Sequence, residues 1–454
     1  MVMSGMSANA TSPNSGSLLE QFGQLFYIID YRTTSFKTSE EVPNYLNDAV
    51  PLFLLFTFLE IFVLRLQAKR TPRLGDALTS NGHGVIYETV KLVTRGFELA
   101  GYEWLYQYRV LDLDWDSPVT WWAAAIGVDF AYYWTHRAIH EVAILWTTHQ
   151  VHHSSEDYNL STATRQSMFQ RMLALGFHQP LALLGVPLPA IIVHMHFNLL
   201  FQYWIHTETI GKCGPIEWIF NTASHHRVHH GSNPWCLDKN YAGYLIIWDR
   251  MFGTFEAERD DEEIIYGLVD QPQTYNVIYL QFFYMGDIVN KCLQQDTFGN
   301  KLRALIYGPG WFPGTPRLGD PPPVEHLNRK KYDPKLPRWM EVYIFIHFVI
   351  TIIIQQILTE KMMEFSAVTF LLVSGFVCLS VGIIGAMYDG WWWAPLIEAV
   401  RCGAYIAYCR NIAVTQFPLL DTLLLAYFVI STLIWTSNSI TLVQDQARIA
   451  NKLK

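Results

Sequence analysis

Three histidine patterns constrain this chain more than anything else in it: His136-Arg-Ala-Ile-His140, His149-Gln-Val-His152-His153 and His226-Arg-Val-His229-His230. Residues three and four apart share one face of a helix, so each pattern predicts a helical segment that aims its imidazoles at one point. Neutral imidazole is the commonest protein metal ligand, and eight of them are enough for two coordination shells. Thirteen of the sixteen histidines lie between His136 and His230. A crowding of that kind points to a metal site rather than to scattered core histidines.

The surroundings of the patterns are apolar. Hydrophobic residues make up 51% of the chain and charged residues 16%, which sets it apart from soluble proteins of this length. The excess sits in long runs: Leu46 to Leu66, Thr120 to Trp134, Met172 to Trp204, Val342 to Leu358, Phe365 to Met387, Trp391 to Tyr408 and Leu419 to Ile434. Several approach the length of a bilayer span. Met172 to Trp204 is too long for one crossing and carries Gly185-Val186-Pro187 at its middle, which predicts a hairpin of two spans. Trp121-Trp122 and Trp391-Trp392-Trp393 suit a membrane–water interface. An all-α, polytopic membrane bundle with a histidine-rich cap follows.

Charge suggests its orientation. Arg65, Lys69, Arg70 and Arg73 follow the first run, so that end is expected in the cytosol and the N-terminus in the lumen. Asn9-Ala10-Thr11 is a glycosylation acceptor on the luminal side, and the polar first forty residues lack the pattern of a cleavable signal. Gly84 to Val110 is harder to place. Its charges, Glu88, Lys91, Arg95, Glu98 and Glu103, argue for an interfacial amphipathic helix. A cytosolic His136 instead demands an even number of crossings after Arg73. Either this stretch crosses, or the Thr120 run enters and leaves on one side. The basic Arg329-Lys330-Lys331 fits the same cytosolic face.

Ligand chemistry narrows the metal. The six cysteines are scattered and none lies in a pattern, which excludes thiolate zinc and iron–sulfur sites. Imidazole alone leaves iron, zinc, copper and nickel open. A net charge of −8 gives no argument for nucleic acid, and Asp260-Asp261-Glu262-Glu263 is most simply a solvated loop.

The HxxxH, HxxHH, HxxHH series with apolar runs before and between its members resembles the fatty acid hydroxylase superfamily of di-iron lipid hydroxylases, desaturases and sterol oxidases. Ser154 to Ser161 after the second pattern, Asn240-Tyr241-Ala242-Gly243, and Ile247 to Phe255 strengthen the likeness. Glu141 directly after His140 and the long C-terminal hydrophobic block resemble the branch that cleaves alkylglycerol ethers. The resemblance implies iron, O2 and tetrahydrobiopterin as cofactors and an endoplasmic reticulum membrane location with the site facing the cytosol. It also implies an alkylglycerol or lyso-alkylglycerophospholipid substrate and a pterin-recycling reductase as partner. The organisation it implies is a luminal segment over 1–45, a membrane anchor over 46–118 and a catalytic domain over 119–270. A connecting region over 271–338, a transmembrane block over 339–440 and a polar tail over 441–454 complete it.

The expected metal ligands are His136, His140, His149, His152, His153, His226, His229 and His230, with His206 as a ninth implied by relatives that place a histidine there. Gln202 stands where some relatives have another histidine. His225 points about 100° away from His226 on a helix and is expected outside the shell. His178, His194 and His196 fall within the hairpin, as cavity-lining or core residues. Glu141 is expected to orient a ligand imidazole or the pterin ring, with Asp157, Asp238 and Asp249 as further carboxylate supports. Two rivals stand beside the ether-cleaving reading. One is an acyl or sterol hydroxylase driven by NADPH and cytochrome b5. The other is a histidine-rich metal transporter, which would place its ligands near the bilayer midplane rather than beyond the ends of the runs.

Overall fold

A computed structural model describes residues 17–323, 327–409, 415 and 417–452. The Asn9 acceptor and the last two residues of the tail lie outside the described residues. The chain divides into two compact units. One holds the described residues of Met1–Asn81, Val93–Gln271 and Phe282–Lys331, the other those of Gly82–Leu92, Pro272–Gln281 and Tyr332–Lys454. Among the described residues the structure is helical, with only isolated bridges of β type.

The histidine-bearing unit starts with α1 (Leu18–Leu25), α2 (Tyr45–Asp48) and α3 (Val50–Leu66). Next come α4 (Leu74–Tyr106), whose Gly82–Leu92 stretch belongs to the other unit, α5 (Pro118–Glu141), and the single turns α6 (Ala143–Trp146) and α7 (Gln150–His153). The predicted hairpin is α8 (Gln170–Leu183) and α9 (Leu188–Ile205), followed by α10 (Ala223–His230), α11 (Ile247–Phe252), α12 (Val277–Leu293), whose first residues through Gln281 belong to the other unit, and α13 (Phe298–Ile306). Gly185 turns the hairpin at φ +85°, where a Cβ would lie 2.0 Å from the Leu111 carbonyl oxygen, so a side chain is excluded twice over.

Between Arg73 and His136 the chain runs out along α4 and back along α5. At its first turn α4 carries Asp76, which accepts hydrogen bonds from Ser155 and Arg165 beside the second histidine pattern. Near its other end the Tyr102 hydroxyl donates to the Val186 carbonyl, 2.9 Å away, at the hairpin turn. Gly84 to Val110 therefore belongs mostly to one 33-residue helix, about 50 Å long, that leads away from the histidines. Glu88 and Lys91, which suggested an interfacial helix, pair with each other along it. Helix α5, capped by the Ser117 side chain with Pro118 in its first turn, runs back and ends at His136 and His140.

Apolar packing joins these passes. Ala124 and Val128 of α5, Ala182 of α8 and Ile191 of α9 form one buried cluster, and Leu25, Tyr45, Val193 and Phe197 form another. Each large side chain so buried contributes about 1.5–3 kcal/mol. Asp129 pins the polar side of α5: it accepts from Asn198 Nδ2 (2.8 Å), the Tyr244 and Leu245 amides (2.9 and 3.0 Å) and Trp248 Nε1 (2.9 Å).

The other unit contains α14 (Arg338–Lys361), α15 (Ala367–Tyr388), α16 (Ala394–Cys409) and α17 (Pro418–Lys452). Among the described residues three helices are long and apolar enough to cross a membrane: α14, α15 and the Pro418–Ile440 part of α17. The protein is an all-α membrane protein. Helix α16 lies in the run expected as a fourth C-terminal span, and its described part has 16 residues. It carries Glu398 and Arg401, which face inward. Arg401 donates to both Glu398 oxygens at 2.6 Å, to Ser380 Oγ at 3.0 Å and lies 2.8 Å from His347 Nδ1. Tyr343 donates to the same carboxylate at 2.5 Å.

Candidate metal centre

Local structure delivers the histidines from four places. The last turns of α5 carry His136 and His140, and α7 carries His152 and His153 with His149 at its N-cap. Helix α10 carries His226, His229 and His230, and His206 caps the C-terminus of α9. The structure gathers all nine into two adjacent groups. His136, His140, His149, His153 and His229 form one, and His152, His206, His226 and His230 the other, with the ring nitrogens of each group within 4.8 Å of one another. All nine are buried.

The division departs from the expectation that each pattern aims at one point. In both HxxHH patterns the first and last histidines enter one group and the middle one enters the other. Helical geometry explains it: positions i and i+4 differ by about 40° around the axis, whereas i+3 and i+4 differ by about 100°. A pattern ending in two consecutive histidines must straddle two centres.

The Nε2 atoms converge. Those of His136 and His149 are 3.0 Å apart, those of His152 and His206 3.2 Å, and those of His206 and His226 3.0 Å. Adjacent imidazoles on one metal, with bonds of about 2.1 Å at right angles, would stand roughly 3 Å apart. The Nε2 atoms of His140, His153, His229 and His230 are buried with no hydrogen-bond partner. Buried polar atoms are rarely left so unless something else fills the place.

The Nδ1 atoms of five of the nine face outward to acceptors. His136 Nδ1 donates to the Tyr241 carbonyl at 2.7 Å, His152 to Arg165 O at 3.1 Å, His206 to Gln202 O at 2.6 Å and His229 to Lys239 O at 2.9 Å. His149 Nδ1 lies 3.2 Å from Gln170 Oε1. Donation from Nδ1 fixes the tautomer and leaves the Nε2 lone pair pointing at the centre. Burial, reinforced by neighbouring histidines, holds these imidazoles neutral. Burial pushes His136 and His206 down to about 4, and with neighbouring rings it holds His140, His149, His152, His153, His226, His229 and His230 well below the usual range.

Comparison with known proteins places this arrangement. Residues 121–254 match the fatty acid hydroxylase family model, and residues 340–426 match that of the alkylglycerol monooxygenase C-terminal domain. An alkylglycerol monooxygenase from Xenopus tropicalis is 40% identical over 94% of this chain and 96% of its own length. The Homo sapiens protein of that name is 43% identical over 87% of this chain and 89% of its own, and that from Danio rerio 40% over 96% and 99%. The chain belongs to the alkylglycerol monooxygenase family. No solved structure matches it.

For a member of that family, the donor set is suited to two metal ions held by nitrogen alone: nine neutral imidazoles, four of them with orphaned Nε2 atoms, and no thiolate in either group. The supporting residues sort differently from expectation. Both Glu141 oxygens are taken by arginines, Oε1 by Arg137 Nε at 2.7 Å and Oε2 by Arg317 Nη1 at 2.8 Å. Asp249 lies one step behind His136. It accepts from the Tyr241 and Ala242 amides at 2.8 and 2.9 Å, and so holds the carbonyl that His136 uses. Asp238 stands 4.0 Å from His140 Nδ1, pushed up to about 6 by burial and by the Glu141 carboxylate. Asp157 accepts from Arg73 and Lys331, both at 2.9 Å, away from the rings.

Of the remaining candidates, none joins either group. His225 turns toward Phe255. His194 lies 2.7 Å from the Tyr27 hydroxyl and meets the edge of Trp121, as a core histidine does. His178 and His196 sit in α8 and α9. Gln202 supports rather than joins the centre: its side chain accepts from Tyr132 at 2.7 Å and donates to Asn198 at 2.6 Å. Sequence reasoning missed Arg165, a fully buried guanidinium that bonds Asp76 and offers its carbonyl to His152, and the Gln170 amide behind His149. A lone arginine in the polar stretch after the second pattern was the only signal.

Proposed function

We propose that the chain is a membrane monooxygenase that cleaves the O-alkyl ether bond of 1-O-alkylglycerols, and of lyso-alkylglycerophospholipids, with two irons in the histidine groups and tetrahydrobiopterin as reductant. The observation that carries this reading is the coexistence in one chain of two neutral imidazole groups and the C-terminal domain of its alkylglycerol-cleaving relatives. Iron is favoured over other imidazole-binding metals by the hydroxylase family match.

The overall chemistry balances. One atom of O2 enters the C–H bond beside the ether oxygen, and the other leaves as water with two electrons and two protons from the tetrahydropterin. The hemiacetal so formed passes its hydroxyl proton to the glycerol oxygen and separates into fatty aldehyde and glycerol. The ether oxygen stabilises radical character on its neighbouring carbon, which makes that C–H bond the weakest in reach. Bound iron would supply the reduction of O2. The chain's own residues keep the imidazoles neutral, orient them through backbone carbonyls and exclude water by burying all nine.

Arg73 donates to Asp157 just after the second pattern, so the basic residues Arg65, Lys69 and Arg70 belong to the histidine end of their unit. That supports a cytosol-facing site in the endoplasmic reticulum membrane, within reach of a pterin-recycling reductase. The test is aldehyde release from a 1-O-alkylglycerol by membranes holding the protein, with and without tetrahydrobiopterin, beside a His149→Ala variant. Pterin-dependent aldehyde that disappears in the variant is expected. No aldehyde from folded, iron-loaded protein would redirect attention to an acyl or sterol hydroxylase using cytochrome b5.

A further inference from the structure

The C-terminal unit holds an apolar cavity of about 400 Å³, lined by none of the nine histidines. Ile354, Leu358 and Lys361 of α14 and Leu372, Phe376 and Leu379 of α15 form two of its walls. Each set is spaced i, i+4, i+7, one face of a helix, so the cavity follows about 10 Å of each axis. Tyr405, Tyr408 and Cys409 of α16 close a third side. The aromatic wall is held from behind: Tyr405 stacks on Phe428 with ring centroids 3.7 Å apart, and the Arg401 guanidinium lies 5.3 Å from the Phe376 centroid. Arg401 itself does not line the cavity, so its closed network backs that wall. Leu372 is 62% exposed, which leaves the cavity open along α15, a helix long and apolar enough to cross a membrane.

One charge stands out in this setting. Lys361, the last residue of α14, is the only charged side chain in the lining, and it has no ion pair or hydrogen bond among the described residues. The neighbouring Glu360 and Glu364 are exposed and do not line the cavity. A half-buried ammonium at the end of an apolar slot complements a chain that ends in one negative charge. One lysine without a guanidinium or a second cation suits a carboxylate, whereas a phosphate head brings more oxygens and more charge to satisfy. A volume of about 400 Å³ lies low in the range of ligand pockets, with room for one hydrocarbon chain rather than two.

We propose that the C-terminal unit binds one long-chain fatty acid anion, its chain between α14, α15 and α16 and its carboxylate on Lys361. The lining falls within residues 340–426, the stretch matched by the family's C-terminal domain model, so the site gives that domain a ligand of its own. It stands independently of the ether-cleaving reading. Hydrocarbon gains little by moving from a bilayer into an apolar cavity, so selectivity must come from the head group.

The test uses full-length protein in phosphatidylcholine nanodiscs, photolabelled with a diazirine analogue of hexadecanoate. Labelling should saturate and map to 354–379 and 404–409, and hexadecanoate should displace the probe about tenfold better than hexadecanol. Lys361→Gln should bring acid and alcohol within about threefold of each other. Val373→Trp, which fills the cavity from α15, should remove saturable labelling while iron per chain and the unfolding midpoint stay as in the wild type. Lys361 ends its helix, so its variant decides the matter even where Val373→Trp does not fold. A lysine whose stem merely covers apolar surface would let acid and alcohol displace equally in the wild type, and that result overturns the proposal. So would labels that map elsewhere, labelling that never saturates, or a preference unchanged in Lys361→Gln. Stronger displacement by a hexadecyl lysophosphatidate than by hexadecanoate would overturn the carboxylate assignment.

Discussion

The two units bury polar side chains in opposite ways. Around Arg401 the charges close on themselves: the guanidinium bonds the Glu398 carboxylate twice, and His347, Ser380 and Tyr343 take up the remaining valences. His347, Glu398 and Cys402 lie close enough together to hold a metal ion, but Arg401 already supplies the positive charge that Glu398 needs. Among the nine histidines the pattern is reversed. The outer nitrogens of His136, His152, His206 and His229 are satisfied by carbonyls, while the inner nitrogens of His140, His153, His229 and His230 have no partner. Proximity of titratable groups does not distinguish a site from a scaffold. What distinguishes them is whether hydrogen bonding is complete without a guest.

The contrast can be broken experimentally. The largest effect is expected from His149→Ala, which should lower aldehyde release by more than about 100-fold and remove iron from the five-histidine group, as read by metal analysis of folded protein. In the other unit, Glu398→Ala strands a buried guanidinium and should cost about 3–5 kcal/mol in unfolding, with iron per folded chain unchanged. If that variant instead lost iron at full stability, the Arg401 network would be a site and the comparison would fail.

Acid should weaken the histidine-bearing unit. A histidine whose proton affinity drops on folding is destabilising once the unfolded chain protonates. Stability of the metal-free protein should therefore hold above pH 6.5 and decline as pH falls toward 4. His136 alone accounts for about 3 kcal/mol across that window. Thermal unfolding at stepped pH measures it, and bound metal should blunt the decline. The smallest effect belongs to Asp249→Asn, which disturbs only the carbonyl behind His136 and should weaken metal binding about 10- to 100-fold, measured by competition with a chelator.

Much of the metal centre was legible from spacing, because helical periodicity is local. The eight histidines of the three patterns come together, joined by His206, which only the resemblance implied, and the chain turns back at Gly185. What spacing could not carry was the destination of each ring. That His153 and His229 share a group while His152 and His226 share the other depends on α5, α7, α9 and α10 meeting in space. The acceptors behind the rings were equally hidden, since the Tyr241, Lys239 and Arg165 carbonyls are backbone atoms with no letter of their own. The charges of Gly84 to Val110 left two readings open in the sequence, and in the structure Glu88 and Lys91 pair along α4. The interior of the C-terminal unit was missed because His347, Glu398 and Arg401 are far apart in the chain or ordinary on a helix surface.

The straddling of two centres by consecutive histidines has a mechanical side. His152 and His153, and again His229 and His230, belong to different centres yet are joined by a single peptide unit about 3.8 Å long. Two stiff rungs of backbone therefore gauge the gap between the centres. Any twist of α10 carries both coordination spheres with it, so neither can be retuned while the other stays still. The spacing on which a shared oxygen molecule would depend is written into covalent geometry rather than left to packing.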